Sequence, residues 1–141
     1  MNQEQLKKKI YNIMDQHTVG TLATVKDQKP HSRFMTFFND DEFTFYTPTN
    51  KETHKAEEIE ANPHVHILIG YEGDGYGDSY LEVEGQAKIR DDQKIKDWLW
   101  SERMERWFTG KGDPDYIVLE VMPENIRLMN ADGDTPETLD L

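Results

Sequence analysis

Short β-type segments separated by polar turns recur along most of this chain and restrict the folds that it can adopt. Residues 18–25 are small, apolar or β-branched, and residues 31–38 (HSRFMTFF) follow the turn sequence KDQKP, which is typical of a hairpin. Alternating apolar side chains within such segments indicate strands with one face packed on a core. Further strands are predicted at residues 42–47, 64–71, 80–89, 116–122 and 123–130, with a bulge or bend at Gly85.

Three helices are predicted to flank these strands. Apolar residues recur at helical spacing in residues 2–16, a second helix is predicted over residues 51–61, and a third runs from Asp91 or Asp92 to about Phe108. The third helix carries two apolar stripes, whereas one buried face needs only one. Packing against a partner subunit explains both stripes, and so does a wall over a bound ring. The predicted class is α+β, mostly β with flanking helices.

The length and composition of the chain favour one small domain. A chain of 141 residues is long enough for one core, and a hydrophobic content of 35% makes that core small, so we expect an oligomer interface. We predict a single domain over residues 1–131. Residues 132–141 are acidic and poor in apolar side chains, which predicts a mobile tail.

The charge of the chain excludes some partners. The net charge is −12, yet residues 1–55 carry 8 Lys and Arg against 7 Asp and Glu, whereas residues 56–141 carry 8 against 21. So acidic a chain is not expected to bind nucleic acid or an anionic membrane surface. There is no cysteine, and the sequence shows neither a secretory leader nor an apolar run of membrane length, so we expect a cytoplasmic protein.

Hydroxyl and basic side chains concentrate between the third predicted strand and the second helix. Thr47, Thr53, His54 and Lys55 occur there, and fixed cations, hydroxyl donors and the free N–H groups of a helix start suit a phosphate group. A lysine in a first helical turn is unfavourable unless an anion shares that position. Arg33 stands among apolar neighbours and needs a partner, which is either a ligand or an acid on an adjacent strand.

Four short motifs resemble a known family. The strands SRFMTFF and FTFYT, the triplet THK and the helix ending in ANP are similar to the flavin-binding core of the pyridoxamine 5'-phosphate oxidase-like split barrels, and most of all to their bacterial general stress protein branch. The resemblance spans roughly residues 10–130. It implies a six- to seven-stranded antiparallel split β-barrel of the FMN-binding type.

The resemblance also implies a cofactor, a partner and site residues. The cofactor is FMN, with FAD or a deazaflavin as possible substitutes, and the partner is a second copy of the chain, with the flavin at the interface of a homodimer. Trp107 is a candidate contact to the flavin ring. The residues that match the family's flavin contacts are Arg33, Phe34, Met35, Thr36, Tyr46, Thr47, Thr53, His54 and Lys55.

The sequence departs from the oxidase pattern where the phosphate is held. Thr53 and His54 stand in place of a Ser and an Arg, and Phe38 stands in place of a second phosphate-binding Lys. Met129 and Asn130 occupy positions where relatives often carry an aromatic residue. Because the changes at His54 and Phe38 remove positive charge from the phosphate site, the resemblance does not imply a true pyridoxamine 5'-phosphate oxidase.

The remaining signals leave two functional classes. His64 and His66 point to the same side of a strand and could bind a metal, but no third ligand follows at a suitable spacing, so packed histidines are favoured. No acid/base dyad is evident in the sequence. The chain is therefore expected to be either a flavin-dependent oxidoreductase using a reduced nicotinamide or a small substrate, or a non-catalytic flavin carrier or stress sensor.

Overall fold

The computed structural model describes residues 1–73, 78–130 and 136–141, apart from the side chain of His54. The strands are β1 Val19–Lys26, β2 Lys29–Thr36, β3 Phe38–Asn39, β4 Phe45–Asn50, β5 His64–Ile69, β6 Tyr80–Arg90, β7 Tyr116–Met129 and β8 Glu137–Leu139. The helices are α1 Gln3–Gln16, α2 His54–Ala61, α3 Gln93–Leu99 and a 3₁₀-helix at Glu102–Arg106.

All the paired strands are antiparallel and form one curled sheet. The strand order is β2-β1-β5-β6-β7-β4-β3, and β8 pairs with β7. The two ends of this path, β2 and β3, are separated in the chain by Phe37 alone, so the sheet has to curve back on itself. The predicted mostly β antiparallel split barrel with flanking helices is therefore confirmed, with two short strands, β3 and β8, added to it.

The core fills the inner side of the curved sheet. Alternate residues of the strands face inward and are fully buried, for example Leu22 on β1 and Ile67 on β5. Helix α1 starts with a capping box between Asn2 and Gln5, and its apolar face adds Leu6, Ile10 and Met14 to the same core. The predicted first helix is confirmed, and removing each such side chain from water stabilises the fold by roughly 1.5–3 kcal/mol.

The long β6–β7 pairing contains the predicted bulge. The register shifts between Glu84 and Gly85, and Gly85 then lies opposite Pro123. A Cβ at Gly85 would stand 2.6 Å from the carbonyl oxygen of Met122, so only glycine permits this approach of the two backbones. The two strands predicted at 116–122 and 123–130 are in fact one strand of 14 residues, because β7 bends around the bulge without ending.

The strand predicted at 42–47 is shifted toward the C-terminus. The predicted strand stops before Pro48, yet Pro48 lies within β4, opposite Val118 of β7. The short β3 pairs only with Phe45 and Tyr46, so the rest of β4 forms a sheet edge within the described part of the chain. Proline is tolerated on an edge because its missing N–H faces no partner strand.

The single helix predicted to end near Phe108 is wrong. Helix α3 ends at Leu99, Trp100 leaves the helical conformation with ψ 135°, and the Ser101 side chain caps a separate 3₁₀-helix. The rings of Trp100 and Phe108 both contact Tyr116, with centroids 5.7 and 5.0 Å away. One straight helix would separate these two residues by about 12 Å along its axis, so both can reach Tyr116 only if the helix breaks.

The acidic C-terminal segment is not simply a mobile tail. Residues 137–139 form β8, and Leu139 is only 4% exposed because it packs into the main core. The prediction is wrong for this stretch, whereas residues 131–135 lie outside the described residues. The glycine-rich turn predicted at 72–79 likewise falls partly outside them, at residues 74–77.

No helix within residues 1–73, 78–130 and 136–141 has both the length and the apolar character that crossing a bilayer requires.

Candidate functional site

Arg33 lies on the inner side of the barrel. It stands opposite the buried Leu22 across the β1–β2 ladder, so the two side chains share one face of the sheet. Its Nη1 donates to the Leu22 carbonyl oxygen at 3.0 Å, and its Nη2 lies 3.3 Å from Oε2 of Glu58 on α2. The acid that pairs with Arg33 therefore comes from the helix and not from the adjacent strand.

Glu58 is a buried carboxylate that joins three elements. It is 7% exposed, and its Oε2 accepts hydrogen bonds from the Thr24 hydroxyl on β1 and from Arg33 on β2. The Thr24 hydrogen bond and the Arg33 charge lower the pKa of Glu58 below its usual value, although burial acts in the opposite direction. The carboxylate is therefore ionised in the folded protein.

Lys55 lies one helical turn before Glu58 and is half-buried. Burial lowers the pKa of Lys55, the positive charge of Arg33 lowers it further, and Glu58 compensates only in part. No carboxylate among the described residues lies within ion-pair distance of its Nζ. Glu58 is thus ion-paired with Arg33 and acts on Lys55 only at longer range, so the Lys55 ammonium group has no ion-pair partner of its own within the described part of the chain.

The start of α2 has free hydrogen-bonding capacity. Thr53 is the N-cap residue, but its side chain makes no capping hydrogen bond and instead donates to the Asn50 carbonyl oxygen at 2.8 Å. Its hydroxyl therefore does not satisfy the N–H groups of the first turn. The Ala56 N–H already donates to the Thr53 carbonyl oxygen at 3.2 Å, which leaves those of His54 and Lys55 to bind an anion. The side chain of His54, also a predicted site residue, lies outside the described part of the structure.

Tyr46 and Thr47 lie on opposite faces of β4. The Tyr46 hydroxyl donates to Asp40 at 3.1 Å, and its ring packs edge-on against Trp98 with centroids 5.2 Å apart. Burial and the Asp40 carboxylate raise the pKa of Tyr46 to about 12. Thr47 is fully buried on the inner face, and its Oγ1 has no hydrogen-bond partner among the described residues.

The other predicted site residues separate into two environments. Phe34 is 78% exposed and Thr36 is also exposed on the outer face of β2, whereas Met35 packs against the core, as the predicted alternation requires. Trp107 is 66% exposed, and the ring contact that it makes is to Arg106, whose guanidinium carbon lies 5.5 Å from the ring centroid. Trp107 thus lies outside the cluster around Glu58.

The structure brings Arg33 and Lys55 together around Glu58, with Thr53 at the start of the same helix, and this cluster contains two residues that sequence patterns do not reveal, Glu58 and Thr24. Glu58 was passed over because acidic residues on a helix are usually solvated, and Thr24 because it reads as an ordinary strand residue. The available signal was the helical spacing of Glu58 from Lys55, combined with the strand alternation that puts Thr24 on the face of Leu22.

A separate cleft of about 310 Å³ lies between the end of α1, the β2–β3 connection and the end of α3. Aromatic side chains dominate its wall, among them Phe38, Trp98 and Trp100. Neither Arg33 nor Lys55 lines it. Arg33 and Lys55 therefore stand out as a candidate site by their charge and hydrogen bonding, and not because they line a cavity.

A metal site finds no support in the described part of the chain. No group of three or more His, Cys, Asp or Glu side chains within it is arranged to hold a metal ion, and this includes His64 and His66.

Comparisons with known proteins identify the family. The family model described as pyridoxamine 5'-phosphate oxidase matches residues 6–130. General stress protein 26 of Bacillus subtilis (strain 168) is 58% identical over 141 residues, covering all of both chains.

Solved structures agree with this match. The general stress protein 26 structure from Bacillus anthracis str. Sterne is 38% identical with a TM-score of 0.86, covering 97% of this chain and 99% of that one. A haem-binding protein from Mycobacterium smegmatis, 14% identical with a TM-score of 0.70 over 89% of this chain and 55% of that one, shares the fold alone. The chain belongs to the pyridoxamine 5'-phosphate oxidase family and is similar along its whole length to general stress protein 26.

Proposed function

We propose that this protein binds FMN and that Arg33, Lys55 and the start of α2 hold its phosphate. The observation that carries the proposal is the half-buried Lys55 ammonium group, which lies beside the positive charge of Arg33 and has no ion-pair partner among the described residues. A bound phosphate would supply the missing negative charge and would relieve the repulsion between Arg33 and Lys55. The split-barrel fold of this family commonly binds flavin, which supports the same ligand class.

The donors at the site suit a terminal phosphate group. A guanidinium has five N–H donors, and Arg33 uses two of them within the described structure, for Leu22 and Glu58. Three remain for phosphate oxygens, together with the Lys55 ammonium group and the backbone N–H groups of His54 and Lys55 at the start of α2. FMN ends in a single phosphate monoester, which matches this compact cluster better than the extended diphosphate of FAD.

We further propose that the protein is a homodimer with the flavin ring at the subunit interface. The strand register places Phe34, Thr21 and Leu68 in one row across the outer face of β2, β1 and β5. Phe34 is 78% exposed, Leu68 is 41% exposed, and Val19 at the end of β1 is 59% exposed. Three exposed apolar side chains on one sheet face, those of Phe34, Leu68 and Val19, favour burial against a second copy of the same face.

The proposed activity is electron exchange between bound FMN and a reduced nicotinamide or a small substrate, in the cytoplasm. FMN supplies the redox chemistry when bound, and the chain supplies position and charge. The alternative is a carrier or stress sensor that binds flavin without turnover. One observation favours this alternative: Glu58 is already bound by Thr24 and Arg33, so the cluster holds no free carboxylate to serve as a base.

Two steps test the proposal. FMN is first titrated into the protein while its fluorescence is followed, and we expect quenching that saturates near one FMN per chain. No quenching at micromolar FMN would overturn the proposal. NADPH is then added without oxygen: bleaching of the flavin absorbance supports the oxidoreductase, and persistent colour supports the binding module.

A further inference from the structure

Glu58 is the buried ionised group that the proposed function leaves without a role. It carries a negative charge close to the site where an anion is proposed to bind, which by itself would weaken that binding. A buried carboxylate is also costly unless it is well paired. Its presence therefore needs an explanation in terms of the groups that it contacts.

The contacts of Glu58 fix the side chain of Arg33. The carboxylate is anchored to β1 by the Thr24 hydroxyl, and the same oxygen lies 3.3 Å from Arg33 Nη2. Because Arg33 Nη1 is held at 3.0 Å by the Leu22 carbonyl oxygen, both Nη atoms of the guanidinium have a fixed partner. A planar guanidinium with two anchored nitrogens cannot rotate freely, so its remaining donors keep one direction.

We propose that Glu58, anchored by Thr24, is the positioning residue of the phosphate site: it orients Arg33 and allows this guanidinium to stay beside Lys55 before the ligand arrives. The inference rests on the proposed flavin function. Its physical benefit is preorganisation, because a side chain that is already ordered loses less freedom when the phosphate binds.

Positioning and simple charge repulsion predict opposite results when Glu58 is replaced. If the carboxylate only repels the phosphate, Glu58→Ala strengthens FMN binding. If it positions Arg33, Glu58→Ala weakens FMN binding although the site becomes more positive. Glu58→Gln keeps the shape and an acceptor oxygen but forms a weaker bond to Arg33, so it should give an intermediate loss.

The experiment compares dissociation constants for FMN and riboflavin, which lacks the phosphate. We expect Glu58→Ala to weaken FMN about tenfold, the scale of one charge-assisted hydrogen bond, with riboflavin affinity changed less than about twofold. Glu57→Ala is the matched control, because Glu57 is the exposed neighbour on the same helix and its loss changes the net charge equally. Stronger FMN binding, or an equal loss for both ligands, would overturn the inference.

A second measurement needs no ligand and separates this inference from the flavin proposal. In ¹⁵N NMR of the unliganded protein, the Nη groups of Arg33 should show slow rotation, and Glu58→Gln should speed it up, whereas Glu57→Gln should not. If the wild type fails to bind FMN, the proposed function fails while this test still stands. Unchanged Arg33 signals in Glu58→Gln would overturn the positioning role, and Glu58→Gln also serves if Glu58→Ala does not fold.

Discussion

At the scale of single residues, Lys55 carries the largest unmet charge of the site. The N-terminal end of the α2 dipole and the Arg33 guanidinium both oppose its positive charge, and burial adds to the cost. Lys55→Ala should therefore weaken FMN binding by about 1.5–3 kcal/mol, the scale of a charge-assisted contact, and should leave riboflavin binding nearly unchanged. Isothermal titration with both ligands measures the difference.

Lys51→Ala is the matched control for Lys55. Lys51 lies just before α2, and its Nζ is 3.9 Å from Asp115 on a well-exposed surface. Loss of this lysine should have little effect on FMN binding, because exposed ion pairs contribute little. Equal losses for the two variants would show that net charge, and not the position of Lys55, controls affinity.

Tyr46 should be one of the last tyrosines to ionise. The pKa values of Tyr46 and Tyr116 are both raised to about 12, in each case first by burial. Because the unfolded chain ionises these tyrosines near pH 10, the folded state loses stability as the pH rises from about 10 toward 12. An absorbance titration of phenolate should show a late step from Tyr46 and Tyr116, and Tyr46→Phe should halve its amplitude; an unchanged late step in Tyr46→Phe would contradict this prediction.

Sequence patterns located the cations of the site but not their counter-ion. Arg33 lies among apolar residues and Lys55 lies in a first helical turn. A positive charge is unusual at both positions, so the sequence is enough to identify these two residues as candidates. Glu58 is one of several acids on α2, and only the packing of that helix against β1 distinguishes it from the exposed Glu57. A local pattern does not contain this contact.

At the scale of elements, the most informative addition to the fold is β8. Leu139 packs into the main core at 4% exposure, whereas Leu141, two residues on, is 62% exposed. We expect Leu139→Ala to lower the free energy of unfolding by about 2 kcal/mol, near the low end for a buried leucine because a short terminal strand can adjust. Urea denaturation followed by circular dichroism measures the change.

Leu141→Ala provides the control for β8, and we expect it to be nearly neutral. If Leu139→Ala were equally neutral, the C-terminal segment would not contribute to the core in solution. The predicted mobile tail would then be correct for residues 137–139.

The strands were predictable because a period of two is a strong local signal. The third helix, β8 and the end of β4 were predicted wrongly because contacts distant in sequence decide them. The third predicted helix looked continuous because apolar residues fill it from Ile95 to Phe108, yet both ends of that run pack around Tyr116. Strand β8 is three residues long and contains one buried leucine, too little for a periodic pattern. Pro48 stops a central strand but not an edge, and a local pattern does not distinguish the two.

At the scale of the whole molecule, the outer face of β2, β1 and β5 is the proposed dimer contact. Phe34 is the most exposed large apolar side chain of the described residues, and it stands in the row with Thr21 and Leu68. Phe34→Asp should convert the dimer into a monomer, because two like charges would meet or be buried in a symmetric contact. Analytical ultracentrifugation reads the change directly.

The control for Phe34 is Leu141→Asp, which places the same charge on another exposed apolar residue. It should leave the dimer intact and FMN binding unchanged. A wild-type protein that sediments as a monomer at micromolar concentration would contradict the proposed dimer, whatever the variants do.

The central claim, a flavin held by its phosphate at Arg33 and Lys55, is tested most directly by calorimetric titration of the wild-type protein with FMN and, separately, with riboflavin. We expect about one FMN per chain. Because Lys55 lacks an ion-pair partner among the described residues, riboflavin should bind clearly more weakly than FMN, and the difference should shrink as salt is added. Equal affinities for the two ligands, or no binding of FMN, would contradict it.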